Sequence, residues 1–194
     1  MALSGPRALV AIIGAPGSGK STLADRLARA LNRAAPGSAA LLAMDGFHYD
    51  DAVLEARGLR ARKGAPDTFD VAGLYHLLGR LRANTEPEVA VPAFDRALEI
   101  ARAGAAIIHA SVRVVLVEGN YLMLDRAPWN RLAPMFDLTL RLEVEPQELR
   151  ARLTRRWERA GLSAEEVRRK VEENDLPNGQ LIGDASLPVD FTLN

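Results

Sequence analysis

The sequence predicts an α/β fold, a mostly parallel sheet with helices on both faces. Three observations predict it. Short, wholly apolar runs alternate with amphipathic stretches of helical period. The apolar runs lack the in–out alternation of a half-exposed strand, as strands covered on both faces require. The first run meets the first helix at a glycine-rich turn, Gly14-Ala15-Pro16-Gly17-Ser18-Gly19-Lys20-Ser21. At 194 residues the chain suits one domain and is short for two. Residues 1–194 are therefore read as a single unit, with no repeat, linker or low-complexity tract.

The elements follow in order. "RALVAIIG" reads as a buried strand stopped by Gly14, and "STLADRLARALN" as a helix with Leu23, Leu27 and Leu31 on one face. "AALLAM" is a second buried strand running into Asp45, while the polar stretch from Asp50 to Pro66 is ambiguous. "DVAGLYHLLGRLRA" is an amphipathic helix with Asp70 as its N-cap. "RVVLVEG" and "DLTLRLEV" are the next strands, and Pro146 opens a helix ending near Gly161. Ser163 and Glu166 are spaced as a capping box for another helix. A helix stop and turn are expected around Asn174, Asn178 and Gly179, and "VDFTL" closes the chain as a short strand.

Composition excludes several classes. Twenty-five basic against 25 acidic residues give no global electrostatic case for a nucleic-acid or membrane partner. The absence of cysteine removes disulfides, thiolate metal sites and a cysteine nucleophile. Only His48, His76 and His109 are available as imidazoles, too few for a histidine-rich metal site. His76 reads as a helix-surface residue and His109 as a strand end, and Trp129 and Trp157 read as packing. No segment approaches membrane-spanning length. The apolar start leads directly into the glycine-rich turn, so cleavage there as a leader would destroy the motif. The expectation is a soluble, cytoplasmic protein.

The turn matches G-x-x-x-x-G-K-[ST] in full, the phosphate-binding P-loop. Its glycines let backbone N–H groups wrap a phosphate, and the following helix N-terminus favours negative charge. Gly14 to Thr22 would cradle a nucleoside triphosphate, with Lys20 reaching the β- and γ-phosphates and the Ser21 hydroxyl on Mg²⁺. "DVAG" imitates a GTPase motif, but it lies inside a helix and no N-K-x-D segment exists. A transporter-type L-S-G-G-Q signature is also missing.

Two carboxylates end predicted strands, Asp45 in "LLAMDGFHYDD" and Glu118 in "LVEGNY". Ligands of parallel α/β sheets gather beyond these strand ends. A carboxylate there can accept a proton from an attacking hydroxyl or support the magnesium shell. Asp45 is read as the general base and Glu118 as part of the magnesium neighbourhood. His48 either bonds an acceptor hydroxyl or packs between Phe47 and Tyr49.

"GAPGSGKST", "MDGFHYD", "KGAPDTFD", "VPAFDRALEIA" and "LVEGNYLML", in that order, resemble the uridine kinase, phosphoribulokinase and bacterial pantothenate kinase superfamily. The resemblance implies the P-loop NTPase fold, ATP and Mg²⁺ as reactants, and Asp45 as catalytic base. It places Pro92, Phe94, Asp95 and Arg96, with His48, Tyr49 and Lys63, at the acceptor pocket. "RLTRRWER" matches the lid of uridine kinases, so a lid over about 150–162 is implied, with Arg152 and Arg156 or Arg155 and Arg159 turned to the phosphoryl group. "RALEIARAG" replaces the histidine and arginine that uridine kinases carry after this block, which weakens a nucleoside reading. The compact ending "NDLPNGQLI" is similar to bacterial fructose-transport-system kinase-like members, and Asn174, Asn178 and Gly179 are the alternative to a plain turn there, as an adenine-site lining.

The expected activity is transfer of the γ-phosphoryl group of ATP to a hydroxyl of a small metabolite, first a sugar such as fructose. Pantothenate and a nucleoside such as uridine or cytidine are the alternatives. A reading of another class is a nucleotide-sensing module that binds ATP without transfer. The oligomeric state is left open, a homodimer included.

Overall fold

In a computed structural model, which describes residues 7–194, every residue of the first strand β1 (Ala8–Gly14) is buried. Its alternate side chains serve two cores. Leu9, Ala11 and Ile13 join the larger one, while Val10 and Ile12 pack with Leu23, Leu27 and Leu31 of α1 (Lys20–Ala34). Both faces of the strand are thus covered, which is why it reads as an unbroken apolar run.

The remaining strands of this sheet are β2 (Ala39–Ala43), β5 (Val114–Glu118), β6 (Leu138–Leu142) and β7 (Phe191–Leu193). The spatial order is β2-β5-β1-β6-β7, parallel at every junction. Ile12 lies opposite Glu118, Ala43 opposite Glu118, and Gly14 opposite Leu142. The register brings the P-loop, Asp45, Glu118 and the exit of β6 to one edge of the sheet, the carboxyl edge where such folds bind ligands.

The helix α3 (Val71–Ala83) covers the larger core with Val71, Leu74, Leu77, Leu78 and Leu81, all buried. The Asp70 side chain caps it by accepting from the Gly73 N–H at 2.9 Å. The ambiguous stretch resolves into a short helix α2 (Asp51–Ala56) and tight turns at Arg60–Arg62 and Pro66–Thr68. Helix α4 (Pro146–Arg159) begins at its proline, and the capping box of Ser163 and Glu166 opens α5 (Ala164–Lys170). Among the described residues no helix is long and apolar enough to cross a membrane.

Two features depart from the sequence expectation. The first is a separate antiparallel pair, β3 (Glu88–Asp95) with β4 (Ile100–His109). Its signal is weak because Pro92 interrupts the run; the register shifts between Val91 and Ala93, as a bulge around a residue without an N–H requires. The second corrects the expected helix stop. The chain continues from α5 through a π-helical turn, Val171–Asp175, into α6 (Leu176–Ala185). Pro177 lies in the first turn of α6. In a regular α-helix its ring would collide with the carbonyl four residues back, and widening the ladder at that point relieves the clash.

Candidate active site

The P-loop turns on two glycines in the left-handed region, Gly17 at φ +79° and Gly19 at φ +94°. The Ser18 N–H donates to the Ala15 carbonyl at 3.0 Å, closing the loop on itself. Gly14 is required for a different reason. A Cβ there would lie 2.6 Å from the Ser18 hydroxyl oxygen and 2.9 Å from the Leu142 carbonyl oxygen. No side chain caps α1, so its first N–H groups face the loop, an arrangement suited to phosphate. The buried Ser18 hydroxyl has no hydrogen-bond partner among the described residues.

Two openings flank the loop. A groove of about 900 Å³ lies between the exit of β6, the start of α4 and α6; Gly14, Ala15, Arg152 and Gly179 are among its walls. On the other side a cleft of about 270 Å³ is lined by Pro16, Lys20, Asp45, His48, Phe94 and Arg96, among others. Asn174 and Asn178 line the cleft and Gly179 the groove, so the three residues do not line one pocket.

Asp45 sits in a tight turn, Met44–Phe47, directly after β2. Gly46 is needed there because a Cβ would meet the Pro92 carbonyl carbon and oxygen of β3, each at 2.9 Å. That close approach sets the hairpin against the turn and lets the Arg96 guanidinium pair with the Asp45 carboxylate. Burial pushes the Asp45 carboxyl up, but Arg96, His48, Lys20 and Arg156 outweigh it and hold it below its ordinary value. Glu118, at the end of β5, behaves oppositely. Burial drives it up and Asp45 adds to the rise, against the pull of Lys20 and a hydrogen bond from Ser21. Two carboxyls on neighbouring strands are thus pushed apart in acidity, the usual mark of divided roles.

His48 stacks 4.0 Å from Phe69 and 4.9 Å from Phe94, centroid to centroid, so these rings form an aromatic floor. Its Nδ1 lies 2.9 Å from the Asp45 carbonyl oxygen. A carbonyl can only accept, so Nδ1 carries the proton and Nε2 is left as an acceptor. Burial lowers the imidazole pKa, against the pull of Asp45, and keeps the ring neutral near pH 7.

Of the two arginine pairs expected to face the phosphoryl group, Arg152 and Arg156 line the openings beside the P-loop. Arg152 donates from Nη1 to the carbonyl oxygens of Ser18 and Gly17, at 3.2 and 3.4 Å. Arg156 lines the cleft and lies over the Trp157 ring, 5.1 Å from its centroid. Arg155 and Arg159 are exposed and line neither opening. Two expected acceptor residues also stand elsewhere. Tyr49 stacks under Arg57, 4.3 Å from its guanidinium carbon. Asp95 closes the hairpin turn by accepting from the Ala97 and Leu98 N–H groups at 3.1 and 3.2 Å. Neither lines the cleft.

Several cleft residues carry no local signal. Asn120 lies just after β5 with its amide oxygen buried and, among the described residues, without a hydrogen-bond partner. The π-helical turn supplies Asn174, whose Nδ2 donates to the Lys63 carbonyl at 3.2 Å, and Asp175, which accepts from the Trp157 indole N–H at 2.7 Å. These bonds tie α4 and the 60–64 loop to one short helical segment. The Asn-Asp pair ahead of Leu-Pro is the only mark of this in the sequence.

A Schizosaccharomyces pombe protein provisionally named a uridine kinase is 35% identical over 179 residues, which are 89% of this chain and 76% of that one. A crystal structure from Silicibacter sp. TM1040, provisionally named a fructose transport system kinase, is 46% identical with a TM-score of 0.90, covering 97% of this chain and 90% of its own. The chain belongs to the P-loop small-molecule kinases. No family model matches it. A pantothenate kinase of Shouchella clausii is 34% identical over 148 residues, 73% of this chain and 46% of that protein. This P-loop kinase is an ATP-dependent enzyme that phosphorylates a small molecule. Its sheet and helices have the architecture of that group.

Proposed function

We propose that this kinase transfers the γ-phosphoryl group of ATP·Mg²⁺ to a hydroxyl of a sugar such as fructose, with Asp45 as general base. The observation that carries the assignment is the position of Asp45: it lines the cleft with Lys20 of the P-loop, and neighbouring cations favour its ionised form. A carboxylate of low basicity takes the proton only as P–O bond formation acidifies the hydroxyl, which suits a loose phosphoryl-transfer transition state.

The remaining roles belong to the same reading. Gly14 to Thr22 hold the triphosphate, and the groove beside Ala15, Arg152 and Gly179 takes the nucleoside end. Lys20 and Arg156 stand where charge develops on the phosphoryl group, and Arg152 steadies the loop carbonyls. His48, Lys63, Phe94 and Arg96 receive the acceptor, and about 150–162 act as lid over a single domain. Closure of that lid would exclude water and suppress hydrolysis. Magnesium suits the donors present. It takes phosphate and water oxygens plus one or two protein oxygens, not a protein cage. No cluster of three metal-binding side chains exists among the described residues, whereas the Ser21 hydroxyl hydrogen-bonds Glu118. When bound, the ion neutralises phosphate charge.

A sugar stands first because of the 46% identical relative with that provisional name. Pantothenate and a nucleoside stand behind it through the other two relatives. The test is acceptor-dependent ADP release against fructose, other sugars, pantothenate, uridine and cytidine. In that assay Asp45→Asn should keep its affinity for ATP and lose about 10²–10⁴-fold in kcat. Wild-type turnover by that variant refutes the base assignment. A protein that only senses nucleotide would release no ADP with any acceptor.

A further inference from the structure

The acceptor cleft holds more positive charge than a nucleotide on the far side of the P-loop accounts for. Its walls carry six cations, Lys20, Arg60, Lys63, Arg96, Arg156 and Lys170, against the carboxylates of Asp45, Glu99 and Asp175. In the proposed reading Lys20 and Arg156 serve the phosphoryl group, and Arg96 pairs with Asp45. Arg60, Lys63 and Lys170 have no such role.

Lys63 is the decisive one. Its side chain is nine-tenths buried, 9% exposed, and its ammonium donates to Asp51 Oδ1 and to the Glu99 carbonyl, both at 2.6 Å. An ammonium has three donors, and the third has no hydrogen-bond partner among the described residues; the Phe94 ring lies 5.5 Å from the nitrogen. Arg60 shares the same Asp51 carboxylate through Nη2 at 2.8 Å. Its other donors are likewise unpartnered among the described residues. One carboxylate therefore balances two cations, and Asp51 is not part of the cleft wall.

The loop that presents these two side chains is fixed from three directions. Tyr121 donates its hydroxyl to the Gly64 carbonyl at 2.7 Å, Asn174 reaches the Lys63 carbonyl, and the Thr68 hydroxyl accepts from the Gly64 N–H at 3.0 Å. The donors are thus held in place before any ligand arrives, the condition for charge recognition without an ordering cost.

We propose that the Arg60–Lys63 corner is an oxyanion subsite, so that the acceptor is a hydroxyl compound carrying a phosphate or carboxylate group, such as a sugar phosphate or sugar acid. This rests on the kinase reading of the same cleft and replaces the neutral sugar named there with an anionic one. A neutral polyol's hydroxyl oxygens can accept from these donors, but its hydroxyl hydrogens need acceptors that this corner supplies poorly, and it brings no charge to balance the cations. An anion's oxygens only accept, and they would relieve the crowding of like charges as well.

Two measurements test it. The first is ADP release with matched pairs: fructose against fructose 6-phosphate, and glucose against gluconate. The anionic member should exceed its neutral partner by about 10²-fold in kcat/KM, and the two pairs distinguish phosphate from carboxylate. Arg60→Gln, at a half-exposed position, should cost the anionic acceptor about 10–100-fold in KM and leave the KM for ATP unchanged. The second needs no turnover: inorganic phosphate is titrated calorimetrically into the protein saturated with Mg²⁺ and a non-hydrolysable ATP analogue. One further phosphate should bind, and Arg60→Gln should abolish it. A neutral sugar that equals its phosphate overturns the subsite and leaves the kinase reading standing. Failure of phosphate to bind, or binding indifferent to Arg60→Gln, also overturns it. Arg60-dependent phosphate binding with no acceptor turned over supports the subsite while counting against the acceptor panel.

Discussion

Gly46→Ala is the sharpest probe of how the turn after β2 and the β3–β4 hairpin build the cleft together. The added methyl would sit 2.9 Å from both the carbonyl carbon and oxygen of Pro92 and 3.2 Å from the Ala93 nitrogen. All three are backbone atoms, so no side chain can swing aside. Ordinary contact begins near 3.4 Å, and β3 or the turn must move by about half an ångström. Gly46 does not have a positive φ, so no backbone strain confuses the reading. Overpacking of this kind costs about 1–3 kcal/mol, a fall in Tm of roughly 2–12 °C for a chain of this size. The displacement also separates Arg96 from Asp45 and shifts Phe94 over the cleft floor. Misplacement on this scale costs about 10–100-fold in kcat/KM. Thermal melts and acceptor-dependent ADP release would read both effects. Gly79→Ala in α3 is the matched control, because its Cβ meets nothing within 4 Å. That change should stabilise by about 0.4–1 kcal/mol and leave activity alone. A Gly46→Ala variant with wild-type Tm and wild-type rate refutes the argument that this contact sets the site.

Arg96→Gln tests the electrostatics of the base. Burial raises the Asp45 carboxyl and Arg96 heads the groups that bring it down, so removing the guanidinium lets the pKa rise. Activity that needs ionised Asp45 is lost as pH falls through that pKa, and the acid limb of kcat/KM therefore moves to higher pH; an unmoved limb rejects the pairing. Arg152→Ala removes the guanidinium from the Gly17 and Ser18 carbonyls and should raise the KM for ATP roughly 3–10-fold, reckoned as one half-exposed charge-assisted bond. Arg155→Ala, one residue off that face, should stay within about twofold. Arg7 donates to the carbonyls of Val112, Leu81 and His109 at 3.0, 3.0 and 2.7 Å and is almost fully buried. Arg7→Met strands those acceptors and should cost about 3–5 kcal/mol in urea unfolding, with active-site constants unchanged in the folded fraction.

What the sequence makes legible is what adjacent residues determine. β1, the P-loop and α1 form one continuous strand–turn–helix, and local rules of apolar runs, glycine conformation and capping suffice for it. The Asp70 cap and the Ser163–Glu166 box are equally local, and both are present. The hairpin is less legible because Pro92 breaks its pattern and because β4 carries alanine and glycine where branched residues usually mark a strand. The π-helical turn is illegible for a further reason. Pro177 and the polar Asn-Asp pair are ordinary stop signals, and only the tertiary partners Trp157 and Lys63 give those side chains a buried place.

The same distinction divides the two sides of the cleft. Phosphate binding draws on one short segment, so its residues appear together in the sequence. The cleft proposed for the acceptor draws on residues spread from 45 to 178, among them Asp45, Arg60, Phe94, Asn120, Arg156 and Asn174, whose convergence depends on the whole topology. The family resemblance places Tyr49 and Asp95 at the acceptor pocket, yet each side chain is held elsewhere by a local contact. Arg60 lies in the polar stretch whose structure the sequence leaves ambiguous, Lys170 carries no motif, and the fold brings both into the cleft wall. A shared P-loop suits a common phosphate donor, whereas on the proposed reading the acceptor is chosen by segments that can vary without disturbing it. On that physical ground the charge of the 60–64 loop, more than the P-loop itself, should decide what this kinase phosphorylates.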